Sequence, residues 1–492
     1  MRRAFVSNIL LLLLVNVLIK PFFIFGIDLT VQNRAEPGAY GLYFALLNWT
    51  YLFQIISDFG LQNYNTRHVS HHPHLLAKYF PNIFLIKLLL GVVFMGVALA
   101  GAVVIGGYHK DALWLLTILL LNQALVQIIL FLRSNIAGLG YYRTDSFLSA
   151  LDKLLMLLFC GAALWMIPEG HFPVEIFALA QMTALVVTVV IVGLILKRYS
   201  ALSLTPRLLF NMKRSWPVLR LIFKKSLPLA LVILLMSAYS RLDSILLERI
   251  LDDGAYHTDV FAGGYRLLDA LNMFGYLFAS LLLPMFSRQL AGGEDVRPLT
   301  ALSFKWIWVG SWTACVAIFT YREEIAALMF DGKTDLAYRA RVSGILIWNF
   351  LAVCTIYIFS TLLTAGGRTA AMNRFFVAGL LLDIILNVLL IPAHKAAGAA
   401  IASLSTQTFV ALAMVMLSVF YYKTSPAWAG AVRWALFTIL MVVVAWGLYH
   451  WWAAAWWMRW AATIVSGGFL GLVTGNIMDR HGMSRLRARL AL

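Results

Sequence analysis

Charge is scarce in this sequence, and so is almost everything else that a soluble protein uses to face water. Only 12% of the 492 residues are charged and 62% are hydrophobic, against roughly 25% charged and 45–50% apolar in an ordinary soluble domain. No stretch between the apolar runs is long enough for a soluble domain of normal size, so the chain reads as a polytopic membrane protein. Cysteine is rare: Cys160, Cys315 and Cys354 lie inside apolar segments without CxxC spacing. That excludes a disulfide framework or a thiolate metal site and leaves them as small hydrophobes. There is no Walker A run, no GxSxG elbow and no HExxH pair, which argues against an enzyme and against direct use of ATP. No cofactor is expected. The first apolar run, after Arg2 and Arg3, lacks a small-residue cleavage site and is expected to be a retained span.

What is present is a succession of segments near the 20 residues that a helix needs to cross the hydrocarbon. They run Asn8–Phe25, Tyr40–Ile56, Tyr79–Ile105, Ala112–Leu132, Phe147–Ile167 and Val174–Leu196, then Leu227–Leu247, Phe261–Pro284, Ser303–Phe319, Ile345–Leu363, Phe375–Ile391 and Ala396–Phe420. Two more, Ala427–Tyr449 and Trp456–Ile477, bring the expected number to about fourteen. The Trp-dense stretch between them, His450–Trp460, suits an interfacial aromatic belt.

The net charge is +17, and it is distributed by side. Lys197–Lys225 carries eight Lys or Arg residues and no acid. Arg143, Arg288, Arg297, Arg368, Lys423 and the tail from Arg480 to Arg489 fall on the same alternate set of loops. Glu36, Asp111, Glu175, Asp252, Asp253, Glu323, Glu324 and Asp331 fall on the other. The positive-inside rule then places the linker and both termini in the cytoplasm. Excess base is thus explained by topology and not by nucleic acid. Within the linker, Leu209, Phe210, Trp216, Leu219, Ile222 and Phe223 give an amphipathic pattern suited to the inner leaflet, although Pro217 interrupts it. The expected organisation is an N-lobe over 1–196, a basic linker over 197–225, a C-lobe over 226–425, and a last pair of spans with a basic tail over 426–492.

The lobes carry traces of a duplication. Aligned without gaps, Tyr40–Ser70 and Phe261–Ala291 bring Tyr40 to Phe261, Phe44 to Tyr265 and Arg67 to Arg288. GLGYYR at Gly138–Arg143 has a counterpart in AGGR at Ala365–Arg368, and each is followed by a span with an embedded acid, Asp152 or Asp383. The run GAYGLYFALLNWTYLFQIISDFGLQNYNTR (Gly38–Arg67) resembles the second span of bacterial polysaccharide flippases. LLIPAHKAAGAAIAS (Leu389–Ser403) is similar to that family's signature between its eleventh and twelfth spans. The resemblance covers essentially residues 1–425 and extends to the multidrug/oligosaccharidyl-lipid/polysaccharide exporter superfamily. It implies an all-α polytopic fold: two six-helix lobes related by a pseudo-twofold plus two C-terminal helices. It also implies an alternating-access flippase of the bacterial inner membrane that moves undecaprenyl-diphosphate-linked oligosaccharide to the outer leaflet for surface polysaccharide, including lipopolysaccharide, biosynthesis. Partners would be that substrate and membrane lipids, and could include glycosyltransferases and a polysaccharide polymerase; a monomer is expected.

A diphosphate calls for cations, and charges at membrane depth are costly enough to mark a pathway. Lys20, Arg67, Arg241 and Arg266 are the candidates for the diphosphate and glycan, with Lys87, Arg133 and Lys153 as further cations at span ends or within spans. Arg offers a planar two-pronged donor, and Lys20 precedes Pro21, which favours a kink. Arg266 and Asp269, three apart, can also pair along a helix. Asp28, Asp152 and Asp383 are candidates for coupling to H+ or Na+, because a buried carboxylate can load and release a cation; each could equally be a fixed structural partner. Asp58 and Arg288 read as gate or helix-end residues. The histidines of RHVSHHPH (His68, His71, His72, His74) lack carboxylate or thiolate companions and read as loop rather than metal site. Other functions compatible with the sequence are a lipid II flippase, a cation-coupled multidrug antiporter and, from a different class, a membrane glycosyltransferase or ligase. The intramembrane charge leans basic, which disfavours a cationic drug, and the longest outward loop, Tyr321–Arg341, carries no recognisable catalytic site.

The charge segregation makes one direct prediction. Single cysteines in the Lys197–Lys225 linker should be shielded from an impermeant thiol reagent added to intact cells, whereas positions beside Asp253 or Glu323 should label. Outside labelling of the linker would invert the topology.

Overall fold

Nearly every backbone amide of an intramembrane segment must find its partner within the segment itself, and the structure obeys that constraint with helices. The computed structural model describes residues 19–71, 74, 76–167, 170–200, 212–424 and 428–474, with side chains described except at 63–64, 67–68, 71, 78–79, 212–230 and 428–431. The chain enters as helix over residues 19–22, widens into a π-helical segment at Phe23–Asp28, and returns to α1, Leu29–Arg34. α2 (Ala39–Phe53), α3 (Leu61–His71), α4 (Leu76–Val104), α5 (Lys110–Gly138), α6 (Tyr142–Met166), α7 (Val174–Tyr199) and α8 (Met212–Ile250) follow. Then come α9 (Gly254–Ala291), α10 (Arg297–Thr320), α11 (Arg322–Met329), α12 (Leu336–Leu346), α13 (Asn349–Ala365), α14 (Thr369–Tyr422), α15 (Trp428–Trp451) and α16 (Trp456–Val473). Among the described residues, nine helical stretches are long and apolar enough to cross a membrane.

The chain forms two compact units, Met1–Asp259 and Val260–Leu492. In the first, α5 packs on α7, α6 on α7, α2 on α8 and α3 on α5. One buried cluster joins Val69, Phe80, Phe131, Ile136, Leu148 and Val192 from α3 to α7. The most apolar window of α5 is 61% buried, whereas that of α4 is 22% buried, so α5 is the central post and α4 gives most of its surface to lipid. Arg34, at the end of α1, donates to the carbonyls of Leu164 (3.1 Å) and Ile167, covering backbone acceptors at the end of α6. In the second unit α13 packs on α14, α10 on α13 and α16, and α15 on α16.

α14 is 54 residues long. A straight helix of that length would reach about 80 Å, against a hydrocarbon core of about 30 Å. It is two spans joined by a tight reversal at Lys395, where φ is 56° and ψ −133°. Tyr338 holds the corner, its hydroxyl accepting the Ala396 N–H at 3.0 Å. A Cβ on Gly398 would stand 2.3 Å from the Leu390 carbonyl oxygen, so only glycine lets the two arms meet this closely. The LLIPAHKAAGAAIAS run is therefore the hairpin between two spans.

Three local features differ from the sequence expectation. Tyr321–Arg341 was read as loop, yet it contains α11, favoured by Glu323 and Glu324 in its first turn, where acids suit the helix dipole. The linker backbone is helical from Met212 onward and runs into α8; residues 201–211 and the side chains of its amphipathic pattern lie outside the described residues. Finally, the two copies of the repeat differ. α9 runs unbroken past Pro284, whereas its counterpart breaks between α2 and α3 into a 3-10 turn, Gln54–Ser57, followed by positive φ at Phe59 and Gly60. Asp58 stands at that break and accepts the Gly60 N–H, and the ungapped alignment places Ala279 opposite it.

The hairpin predicts that Gly398→Val costs about 1–3 kcal/mol, the usual penalty of overpacking, and lowers the melting temperature of the purified protein. Lys395→Gly, which relaxes a left-handed corner, should keep a monodisperse profile. A wild-type melting curve for Gly398→Val would remove the close approach.

Candidate functional site

The intramembrane charges of the first unit gather where the opening helix meets α6. Lys20 is half-buried and its charged neighbours are Lys153, Asp152 and Arg133. Lys153 stands 3.8 Å from Asp152 and lies over the Phe23 ring, 5.1 Å from its centroid. Arg133 is committed to Asp145, with Nε donating at 2.8 Å and Nη2 reaching the Asp145 carbonyl at 3.2 Å. Immediately around Lys20, then, stand two cations and one acid, and Arg133 is taken up by Asp145, so positive charge exceeds negative at Lys20 itself. Pro21 and the π segment at Phe23–Asp28 lie directly beside it. π segments interrupt the regular amide ladder and recur at functional positions, so the helix that carries Lys20 and Asp28 is the pliable one.

Asp28 terminates the π segment and accepts a hydrogen bond from the Tyr40 hydroxyl at 3.0 Å. Cys160 on α6 lies within electrostatic reach of both Asp28 and Lys153, so the carboxylate and the lysine share one neighbourhood. The GAYGLYFALLN run supplies the supporting wall. Tyr40 packs on Tyr43 (5.3 Å between ring centroids), Tyr43 on Phe177 (5.5 Å) and Phe177 on Phe23 (6.5 Å). Gln181 donates to the Tyr43 hydroxyl at 3.1 Å. Gly41 is needed because a Cβ there would fall 1.8 Å from the Ala255 carbonyl oxygen. Asn48 accepts from Arg241 Nη1 at 3.1 Å and donates to Ser244 Oγ at 2.9 Å, and the Arg241 guanidinium lies 4.9 Å over Tyr51. Arg241 is therefore braced against α2. Tyr40, Tyr43, Asn48 and Gln181 were not singled out from sequence; the available signal was the presence of hydrogen-bonding side chains inside otherwise apolar runs.

Asp58 has a different duty. Its Oδ1 takes the buried Lys87 ammonium at 2.5 Å and its Oδ2 accepts the Gly60 N–H at 3.1 Å, while Lys87 also reaches Gln127 at 3.4 Å. One carboxylate closes the broken helix end and ties it to α4 and, through Gln127, to α5. Of the remaining candidates, Arg67 belongs to the first unit and Arg266, Arg288 and Asp383 to the second. Arg67 is on α3, with its side chain outside the described residues. Arg266 is buried on α9, about a turn from Asp269, and Arg288 is exposed in the last turn of α9. Asp383 is fully buried on α14, where Asn387 Nδ2 donates to its carbonyl oxygen at 2.9 Å. All three cysteines are free and buried.

Set beside known proteins, residues 5–290 match the family described as polysaccharide biosynthesis protein. The chain belongs to that family. Among curated proteins, none matches the sequence. Among solved structures, the lipid II flippase MurJ in an inward closed conformation shares the fold with a TM-score of 0.71 at 11% identity, over 96% of this chain and 98% of that one. An inward-facing multidrug resistance MATE transporter of the MOP superfamily gives 0.64 at 14% identity, over 82% and 96%. A MOP superfamily transporter from Pyrococcus furiosus, described for the reverse polarity of its binding pocket, gives 0.56 at 15% identity, over 83% and 95%. This polysaccharide biosynthesis family member therefore has the fold of MOP superfamily transporters and is a multi-pass membrane protein.

The Asp58–Lys87 pair gives a stability test. Removing one member of a buried pair strands the other at a cost of about 3–5 kcal/mol, whereas replacing both with apolar groups restores most of it. Lys87→Met should lower the yield of folded protein and its melting temperature, and Asp58→Leu/Lys87→Met should recover much of the loss. A double variant no better than Lys87→Met would contradict the pairing.

Proposed function

We propose that this protein is a flippase that carries undecaprenyl-diphosphate-linked oligosaccharide from the cytoplasmic to the outer leaflet of the bacterial inner membrane by alternating access, with both termini in the cytoplasm. The observation that carries the reading is the excess of positive charge around Lys20, which precedes Pro21 and the π segment Phe23–Asp28 and neighbours Lys153 of α6, in a member of a polysaccharide biosynthesis family. A lipid-linked glycan presents two phosphates that must leave water. Two ammonium groups, one already half-neutralised by Asp152, offer charge-assisted hydrogen bonds to them. A cationic drug would meet repulsion at the same place, so the multidrug reading is the weaker one.

Three carboxylates are proposed for coupling. Asp28 sits at the end of the bend, Asp152 beside the lysines, and Asp383 in the second unit. Loading a proton or Na+ on Asp28 would weaken its hold on Tyr40 and let the opening helix change course. A unit charge crossing the full field is worth about 2.3 kcal/mol per 100 mV, enough for membrane potential to bias the cycle without ATP. A second reading, transport of lipid II, is favoured by one observation: the likeness to MurJ extends over almost the whole chain, including the C-terminal helices.

In cells that depend on this protein for surface glycan, Lys20→Ala should reduce glycan export about tenfold or more, the scale of one lost charged hydrogen bond, at normal protein abundance. Lys20→Arg should keep part of the activity. Full export by Lys20→Ala would move the diphosphate site away from the bend.

A further inference from the structure

The second unit holds a cavity of about 340 Å³ whose lining includes none of the charges assigned above to substrate or coupling. Its inner part is apolar: Val316 of α10, Trp348 at the start of α13 and Val442 of α15 line it, and Val316 is packed into a cluster with Met441 and Ala445. One wall is the Phe319–Trp348 pair, with ring centroids 5.9 Å apart, and the other is Trp446 against His450 at 4.9 Å. At the rim stand Arg322 and Glu323, which open α11 and approach each other to 3.6 Å. Arg322 Nη1 donates to the Phe319 carbonyl at 2.9 Å, which fixes the guanidinium at the mouth while its other donors stay in the fork.

Three properties decide what this cavity suits. It is bounded by the last turns of α15, where Val442 and Trp446 are 47% and 52% exposed, apolar surface of the kind a membrane helix turns to lipid. That end of α15 runs into the Trp-dense stretch His450–Trp460, the composition of an interfacial belt where an amphipathic molecule changes from chain to headgroup. Its rim carries one cation and one anion side by side, with Glu323 69% exposed. That pattern complements a headgroup carrying both a phosphate and an amine, and it favours it over one with a phosphate alone, which offers Glu323 no cation. The volume lies within the range of specific small-molecule sites.

We infer that this cavity is a binding site for a zwitterionic phospholipid of the outer leaflet, a phosphatidylethanolamine. One acyl chain lies between the two aromatic walls, the phosphate rests on Arg322 and the ammonium on Glu323. Such a lipid fills the space between α10 and α15 and steadies the last pair of helices. It is distinct from the transported substrate.

The test uses the full-length protein in vesicles that contain phosphatidylethanolamine and phosphatidylglycerol, with a diazirine on the acyl chain of one or the other. On illumination, the phosphatidylethanolamine probe should label peptides that contain Phe319 and Trp446, about tenfold above the phosphatidylglycerol probe. Val316→Trp, which fills the apolar end, should abolish that labelling. Glu323→Lys, at an exposed rim position, should reverse the headgroup preference with only the small loss of melting temperature expected from removing one acid from the first turn of α11. Equal labelling by both probes in the wild type would overturn the assignment. So would wild-type labelling in both variants, or labels mapping elsewhere.

Discussion

The hydrocarbon core contains no water to satisfy a backbone amide or a side-chain charge, and the cost of leaving either unmet is several kcal/mol. That constraint accounts for the long helices and also for the arrangement of charge inside them. Lys87 meets Asp58 at 2.5 Å, Arg133 meets Asp145 at 2.8 Å and Lys153 meets Asp152 at 3.8 Å. Each pair lies within the first unit; the first two join separate segments, and the third is a pair of neighbours in the middle of α6. Around Lys20 positive charge is in excess beyond what Lys153 spends on Asp152 and on the Phe23 ring in holding the opening helix to α6. That is why this is the place to look for a negatively charged substrate.

The same constraint makes helix irregularities informative. A break in an amide ladder in lipid must be met by other groups, and each break here has its compensation. At Phe59 and Gly60 the Asp58 carboxylate accepts the Gly60 amide. At Lys395 the Tyr338 hydroxyl accepts the Ala396 amide. The opening helix bends differently, by widening into a π segment between Pro21 and Leu29, with Asp28 and Tyr40 joined at its end. The first two are braced by fixed partners, while the third ends on the hydrogen bond between Asp28 and Tyr40.

Much of the fold was legible in the sequence because lipid-facing helices are apolar nearly all round and of bilayer length. The expected spans from Tyr79 to Leu196 fall on α4 to α7, and the reversal near Lys395 follows from the Pro392–Gly398 punctuation. The repeat pointed to corresponding helices, but not to the break at Asp58, because that depends on a lysine 29 residues away on another helix. The short α11 escaped notice since an eight-residue amphipathic turn has no span-like signature. For the site, Lys20, Asp28 and Asp152 were marked by the depth of their charge alone. Their convergence, the bracing of Arg241 by Asn48 and the aromatic wall of Tyr40, Tyr43 and Phe177 are tertiary facts that no periodicity contains.

The central claim is that surplus positive charge in a MOP-type fold serves a lipid-linked diphosphate glycan. It is tested most directly with purified protein in sealed vesicles carrying undecaprenyl-diphosphate oligosaccharide or lipid II, with movement of each to the opposite leaflet followed under an imposed potential or ion gradient. The account predicts that the oligosaccharide lipid moves faster than lipid II, that the rate follows the gradient and that ATP has no effect. Movement of neither lipid, or movement that strictly requires ATP, would contradict it.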